Sequence, residues 1–132
     1  MTKYKKPATP RALAVLCAKI AEDKIANDIL LMNLKKADTP PTDYFVICTC
    51  DSDVQVRAVS DEVFRVCTEL GIKKPRMEGY DTASWVLIDF FDVVFHVMLT
   101  NARQYFNIEK LWADAQFLRL NEEGLPRKVT LN

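Results

Sequence analysis

Residues 84–99 read SWVLIDFFDVVFHVML. Two runs dense in β-branched and aromatic residues, SWVLIDF and DVVFHVML, meet at a turn near Phe90–Phe91. That is the pattern of a β-hairpin, and so much apolar surface on paired strands has to be covered by another layer. A chain built around this hairpin is committed to a sheet with helices packed on it.

The remaining segments supply the cover and further strands. Thr9 and Pro10 suit the N-cap and first position of a helix, and Leu13, Leu16, Cys17 and Ile20 follow at helical spacing. DILLMNL (residues 28–34) is apolar on both faces, as expected of a strand covered on both sides. ADTPPTD is a loop, because Pro40 and Pro41 exclude helix, and YFVICTC (44–50) is a second strand. A long helix follows, capped by Asp51 or Ser52, with a stripe of Val56, Val59, Val63, Val66 or Cys67, and Leu70, and stopped by Gly71. KKPRMEGYD is a loop with room for a short strand at 76–78. Thr100 or Asn101 is positioned to cap one last helix through ARQYFNIEKLWADA. The expected fold is α/β with α+β character: a single mixed sheet of about five strands flanked by helices. Residues 1–9 form an extension, 10–113 the domain, and 114–132 a tail that is only partly ordered.

Composition narrows the function. The chain has 132 residues, 49% of them hydrophobic, which suits one domain with a real core. Eighteen Lys+Arg balance eighteen Asp+Glu, so the basic surface that nucleic-acid binding demands is missing; the clusters Lys3, Lys5, Lys6 and Lys73, Lys74, Arg76 are short. No secretory leader and no run near the ~20 apolar residues of a membrane span are visible, so a soluble, cytoplasmic protein is expected. In that compartment Cys17, Cys48, Cys50 and Cys67 read as reduced thiols.

Candidate chemistry is sparse. Asp89 and Asp92 flank the hairpin turn, where aspartate commonly bonds nearby backbone N–H groups. His96 shares a strand face with Val94 and Met98 and reads as a satisfied core histidine. The competing reading is an enzyme of nucleotidyltransferase or metal-dependent type using Asp89, Asp92 and His96. Cys48 and Cys50 lie about 7 Å apart along one strand face, awkward for a disulfide and without zinc spacing. A redox or metal sensor built on them is a third reading. With three glycines there is no dinucleotide or phosphate loop, and no cofactor or metal is expected. What the core does not obviously need is a set of interface-type residues: Trp85 after an irregular loop, and Arg103, Tyr105, Phe106, Glu109 and Trp112 crowding one short helix.

Three stretches in combination, TDYFVIC, EGYDTASWVLIDFFDVVFHVM and RQYFNIEKLW, resemble the Iojap-like ribosomal silencing factors over roughly residues 10–113. The resemblance implies a non-enzymatic regulator with a nucleotidyltransferase-like sheet that has lost the catalytic signature. It implies binding to the large ribosomal subunit through its ribosomal protein fourteen, a block on joining with the small subunit, and repression of translation when nutrients are scarce. Homodimers are implied as well. On this resemblance Trp85 matches the tryptophan at the ribosomal-protein contact, Arg103 the first arginine, and Glu109, Leu111 and Trp112 the closing motif. Two positions depart from the pattern. Phe106 stands where tyrosine is usual, with Tyr105 beside it, and Phe91 stands where glycine is usual, so the turn must change geometry or carry strain.

Overall fold

The computed structural model describes residues 3–131; Met1, Thr2 and Asn132, at the outer ends of the expected extension and tail, lie outside the described residues. The first helix, α1 (Pro10–Asp23), starts where the sequence places it, with Thr9 Oγ1 accepting from Ala12 N at 3.0 Å. α2 (Asp53–Leu70) is capped by Ser52, whose Oγ accepts from Gln55 N at 3.1 Å, and ends at Gly71 with φ 68°. Each side-chain cap contributes about 1 kcal/mol to its helix.

The strands are β1 (Asn27–Asn33), β2 (Tyr44–Cys50), β3 (Arg76–Glu78), β4 (Trp85–Asp89), β5 (Val93–Leu99), β6 (Gln116–Leu120) and β7 (Pro126–Lys128). They form one mixed sheet in the order β3-β4-β5-β2-β1-β6-β7. The pair β2–β5 is parallel, and the other pairs are antiparallel. The sheet has seven strands rather than about five. The extra two come from the segment read as a tail. There β6 pairs with β1 through Leu31↔Leu118, Met32↔Phe117 and Asn33↔Gln116, and β7 pairs with β6. The physical reason is the open edge of β1: its central residues Leu30, Leu31 and Met32 are fully buried, and such an edge needs a partner for its backbone groups.

The two faces of the sheet differ. On one, α1 and α2 enclose the main core, which includes Tyr44, Val46, Cys48 and Cys50 of β2 and Val86, Ile88, Phe95 and Val97 of the hairpin. On the other, Leu30, Met32, Phe45, Ile47 and Met98 form a second, thinner core under Ile108, with Trp85, Val94, Ala102 and Trp112 at its margin. β2 is buried along its whole length because it contributes to both.

The hairpin registers Trp85 with Met98 and Asp89 with Val94. Its turn answers the question raised by Phe91. Phe91 keeps the left-handed conformation, φ 78°, that glycine adopts freely, and its ring is exposed. Asp89 Oδ1 accepts from Phe91 N at 2.7 Å, and Thr42 donates to Phe91 O at 2.7 Å. The turn is therefore bonded into a strained shape rather than reshaped.

The last helix is not continuous. α3 (Thr100–Phe106) and α4 (Ile108–Leu111) are divided by Asn107 at φ 45°. Asparagine tolerates the left-handed region better than most residues, so the break costs little there. Neither Thr100 nor Asn101 acts as the expected N-cap; the cap position is Leu99, with no side-chain bond.

Candidate functional site

The backbone that delivers Trp85 is held at both ends. Before it, Gly79 has φ 88° and passes so near the Trp85 carbonyl that a side chain there would collide with it. Gly79 O accepts from Ala83 N at 2.9 Å, and Ala83 is itself at φ 57° and fully buried. Arg57 reaches over from α2 and donates to the carbonyls of Tyr80 at 3.2 Å and Asp81 at 2.5 Å, while keeping an ion pair with Asp53 at 2.9 Å. Tyr80 OH lies 2.9 Å from Asp61 Oδ1. An irregular loop between two strands is thus clamped to a helix, and it releases Trp85 at a fixed point on the thinner face.

The Trp85 side chain is half-buried, and its Nε1–H donates to His96 Nδ1 at 3.1 Å. The two residues are diagonal neighbours across the hairpin, since His96 registers with Leu87 and Trp85 with Met98. His96 is buried, and burial pushes its pKa down to about 4, so the imidazole is neutral near pH 7. With Nδ1 accepting, the proton sits on Nε2, which is buried and has no hydrogen-bond partner among the described residues. The expectation of a fully satisfied core histidine therefore holds for one nitrogen and fails for the other.

An aromatic surface spreads from this pair. The Phe106 ring lies 4.7 Å from that of Trp85, and Tyr105 stands edge-on to Phe106 at 5.0 Å. Tyr105 is 82% exposed and Phe106 47%. Beneath them Phe45 meets His96 edge-on at 4.6 Å and Trp112 at 6.3 Å. Leu111, next to Trp112, is also exposed. The fold brings Trp85, Tyr105, Phe106 and Trp112 to the same face. Phe45 and His96, which join them, were missed as members. Strand alternation from Trp85 could have found His96; Phe45 needed the β2–β5 pairing.

Arg103 and Glu109, expected among the partner-binding residues, are engaged with each other and with β1 inside the fold. Arg103 is buried: Nη1 donates to the Asp28 carbonyl, Nη2 lies 3.6 Å from the Asp28 carboxylate, and Nε lies 3.4 Å from Glu109 Oε2. Arg119 of β6 meets the same aspartate at 3.0 Å. These charges tie α3 and α4 to the β1 bulge and to β6, so in this fold they brace the aromatic surface. The reason is the helix break at Asn107, which turns Glu109 back toward Arg103.

The enzyme reading finds little to work with. Asp89 is engaged in the hairpin turn, His96 in the bond to Trp85, and among the described residues no group of three or more His, Cys, Asp or Glu side chains could hold a metal ion. The four cysteines are free and buried. Burial holds the thiols of Cys17, Cys48 and Cys67 above the ordinary range, whereas the hydrogen bond with Cys48 holds the Cys50 thiol below it. No helix among the described residues is long and apolar enough to cross a membrane.

Comparison with known proteins places this architecture. The family model described as ribosomal silencing factor during starvation matches residues 7–130. The ribosomal silencing factor of Bacillus subtilis is 40% identical over 111 residues, covering 84% of this chain and 93% of that protein. The mouse protein named mitochondrial assembly of ribosomal large subunit protein 1 is 31% identical over 97 residues, 68% of this chain and 42% of its own length. A crystal structure from Chromobacterium violaceum superposes with a TM-score of 0.74 at 32% identity, covering 80% of this chain and 87% of that one. A second, from Bacillus halodurans, gives 0.68 at 41% identity over 77% of this chain and 94% of that one. With the match spanning all four helices, all seven strands and the aromatic face, the chain belongs to the ribosomal silencing factor family.

Proposed function

We propose that the protein binds the large ribosomal subunit through ribosomal protein fourteen and, seated there, prevents the small subunit from joining, lowering translation when nutrients are limiting. The observation that carries this reading is the aromatic surface in which exposed Phe106 and Tyr105 border the half-buried Trp85, mounted on a clamped loop and a braced helix. Rigid aromatics with one polar edge are the residue types that anchor protein interfaces, and a contiguous exposed patch of them marks an interaction site. Trp112 and Leu111 extend the patch, and Arg103 and Glu109 hold its geometry. A relative whose name refers to assembly of the ribosomal large subunit supports the choice of that subunit.

The mechanism is steric and needs no catalysis. A domain docked on the joining face occupies space the small subunit requires, so inhibition follows occupancy. The nucleotidyltransferase-like character of the sheet belongs to the same proposal, as a fold retained without its catalytic set. The action is cytoplasmic, and a homodimer is the free form.

Purified subunits mixed with the protein and resolved on a sucrose gradient test this directly. Joined ribosomes should decline as the protein saturates the large subunits, with the protein co-sedimenting with the latter. Trp85→Ala should weaken that binding about thirtyfold, the ~2 kcal/mol of a hot-spot aromatic. Unchanged joining at saturating protein would sink the reading.

A further inference from the structure

His96 offers an arrangement that packing alone does not require. Its cross-strand neighbours are Ile47 of β2 and Leu87 of β4, and Phe45 lies against its ring. An apolar side chain would fill that space with no polar group to satisfy. Instead a histidine is buried with its protonated Nε2 unpartnered among the described residues, an arrangement that costs free energy. The other nitrogen gives the compensation: Nδ1 accepts from the Trp85 indole. Trp85 is half-buried, so the bond fixes the ring's orientation as well as pairing its N–H.

We propose that His96 is the positioning residue of the partner-binding face: through Nδ1 it holds the Trp85 indole by its N–H, so the ring is set beside Phe106 before a partner arrives. This rests on the reading of that face as the ribosome contact. A half-exposed tryptophan with a free indole would sample several rotamers, and binding would have to immobilise it. With the N–H anchored below, the ring edge points inward and the ring is held 4.7 Å from Phe106. The neutral imidazole is essential, since a doubly protonated ring has no lone pair to accept with. Histidine is suited to this site because it combines a ring that packs edge-on against Phe45 with an acceptor at the near position.

The test separates ring positioning from ribosome binding. Hydrogen exchange of the Trp85 indole N–H is followed by NMR in the free protein, and large-subunit affinity is measured in the same preparations. His96→Phe keeps an aromatic of similar size and deletes the acceptor; His96→Leu replaces it if the larger ring does not fold. Indole exchange should accelerate and affinity should fall about tenfold, the scale of one hydrogen bond. His96→Asn places an amide oxygen near the Nδ1 position and should restore much of both. Exchange as slow as in the wild type in His96→Phe overturns the proposal, and so does fast exchange with unchanged affinity. Wild-type protein that ignores large subunits overturns the reading of the face, while the exchange rates alone still decide whether His96 holds the ring.

Discussion

A Cβ atom added to Gly79 would lie 2.2 Å from the backbone oxygen of Trp85. No side chain fits there, and the φ of 88° disfavours one independently. Gly71 makes a useful contrast: its φ is 68°, but the space around it is open, with Lys6 Nζ at 3.9 Å. Gly79→Ala is expected to cost about 3 kcal/mol and Gly71→Ala about 1 kcal/mol. Denaturant unfolding of both variants checks this. Equal losses would mean that the contact with the Trp85 carbonyl does not constrain the loop.

Phe91→Gly should raise the melting temperature by a few degrees. Relief of the left-handed strain contributes about 1–2 kcal/mol, and the greater freedom of unfolded glycine offsets part of it. Phe91→Ala keeps the strain and should give no such gain. The ring is 84% exposed, so little packing is lost in either variant. If the Phe91→Gly variant melts no later than the Phe91→Ala variant, the turn is not strained.

Arg103→Ala should destabilise the fold by about 3 kcal/mol, because it leaves the Glu109 carboxylate and the Asp28 carbonyl without their buried partner, while the Asp28 carboxylate keeps Arg119. Arg103→Lys should recover only part of this, since one ammonium cannot bridge the Asp28 carbonyl and Glu109 together. Thermal melts and large-subunit affinity are read side by side. Full stability with lost affinity would make Arg103 a direct contact instead of a brace.

Acid should act through His96 before most carboxylates respond. In the unfolded chain histidine takes up a proton near pH 6.5, whereas burial in the folded protein delays this to about 4. The unfolded state therefore binds more protons between those values. Stability is fully present above about pH 6.5 and falls by about 3 kcal/mol as pH drops toward 4. Asp23, Asp53 and Glu62, whose carboxyls are held below the ordinary range by Tyr4, Arg57 and Arg65, add their own losses at lower pH. Unfolding free energies measured from pH 7 to 4 should slope more steeply for the wild type than for His96→Asn. Parallel curves would contradict a buried neutral imidazole.

Much of this protein is specified locally, and that part is legible along the chain. Thr9–Pro10, Ser52 and Gly71 are end signals whose chemistry acts within a few residues, so the starts of both long helices and the end of α2 could be read. The hairpin was equally legible, because alternation of Trp85, Leu87 and Asp89 against Val86 and Ile88 is a property of the strand itself. Trp85, Tyr105, Phe106 and Trp112 could be singled out by residue type and motif, but their contacts with one another could not. Relations between segments distant in the chain arise only on folding. Leu118 becomes a strand residue because β1 presents an open edge far earlier in the chain (Leu31↔Leu118), and nothing in QFLRL demands that pairing. Arg103 becomes a brace because Asn107 breaks the helix and Asp28 waits at a bulge of β1. His96 becomes the support of Trp85 because the hairpin register sets them diagonally and β2 buries the ring from beneath. Short-range propensity is written residue by residue, whereas an ion pair or a side-chain hydrogen bond across strands exists only once backbone pairing has placed its partners within about 3 Å of each other.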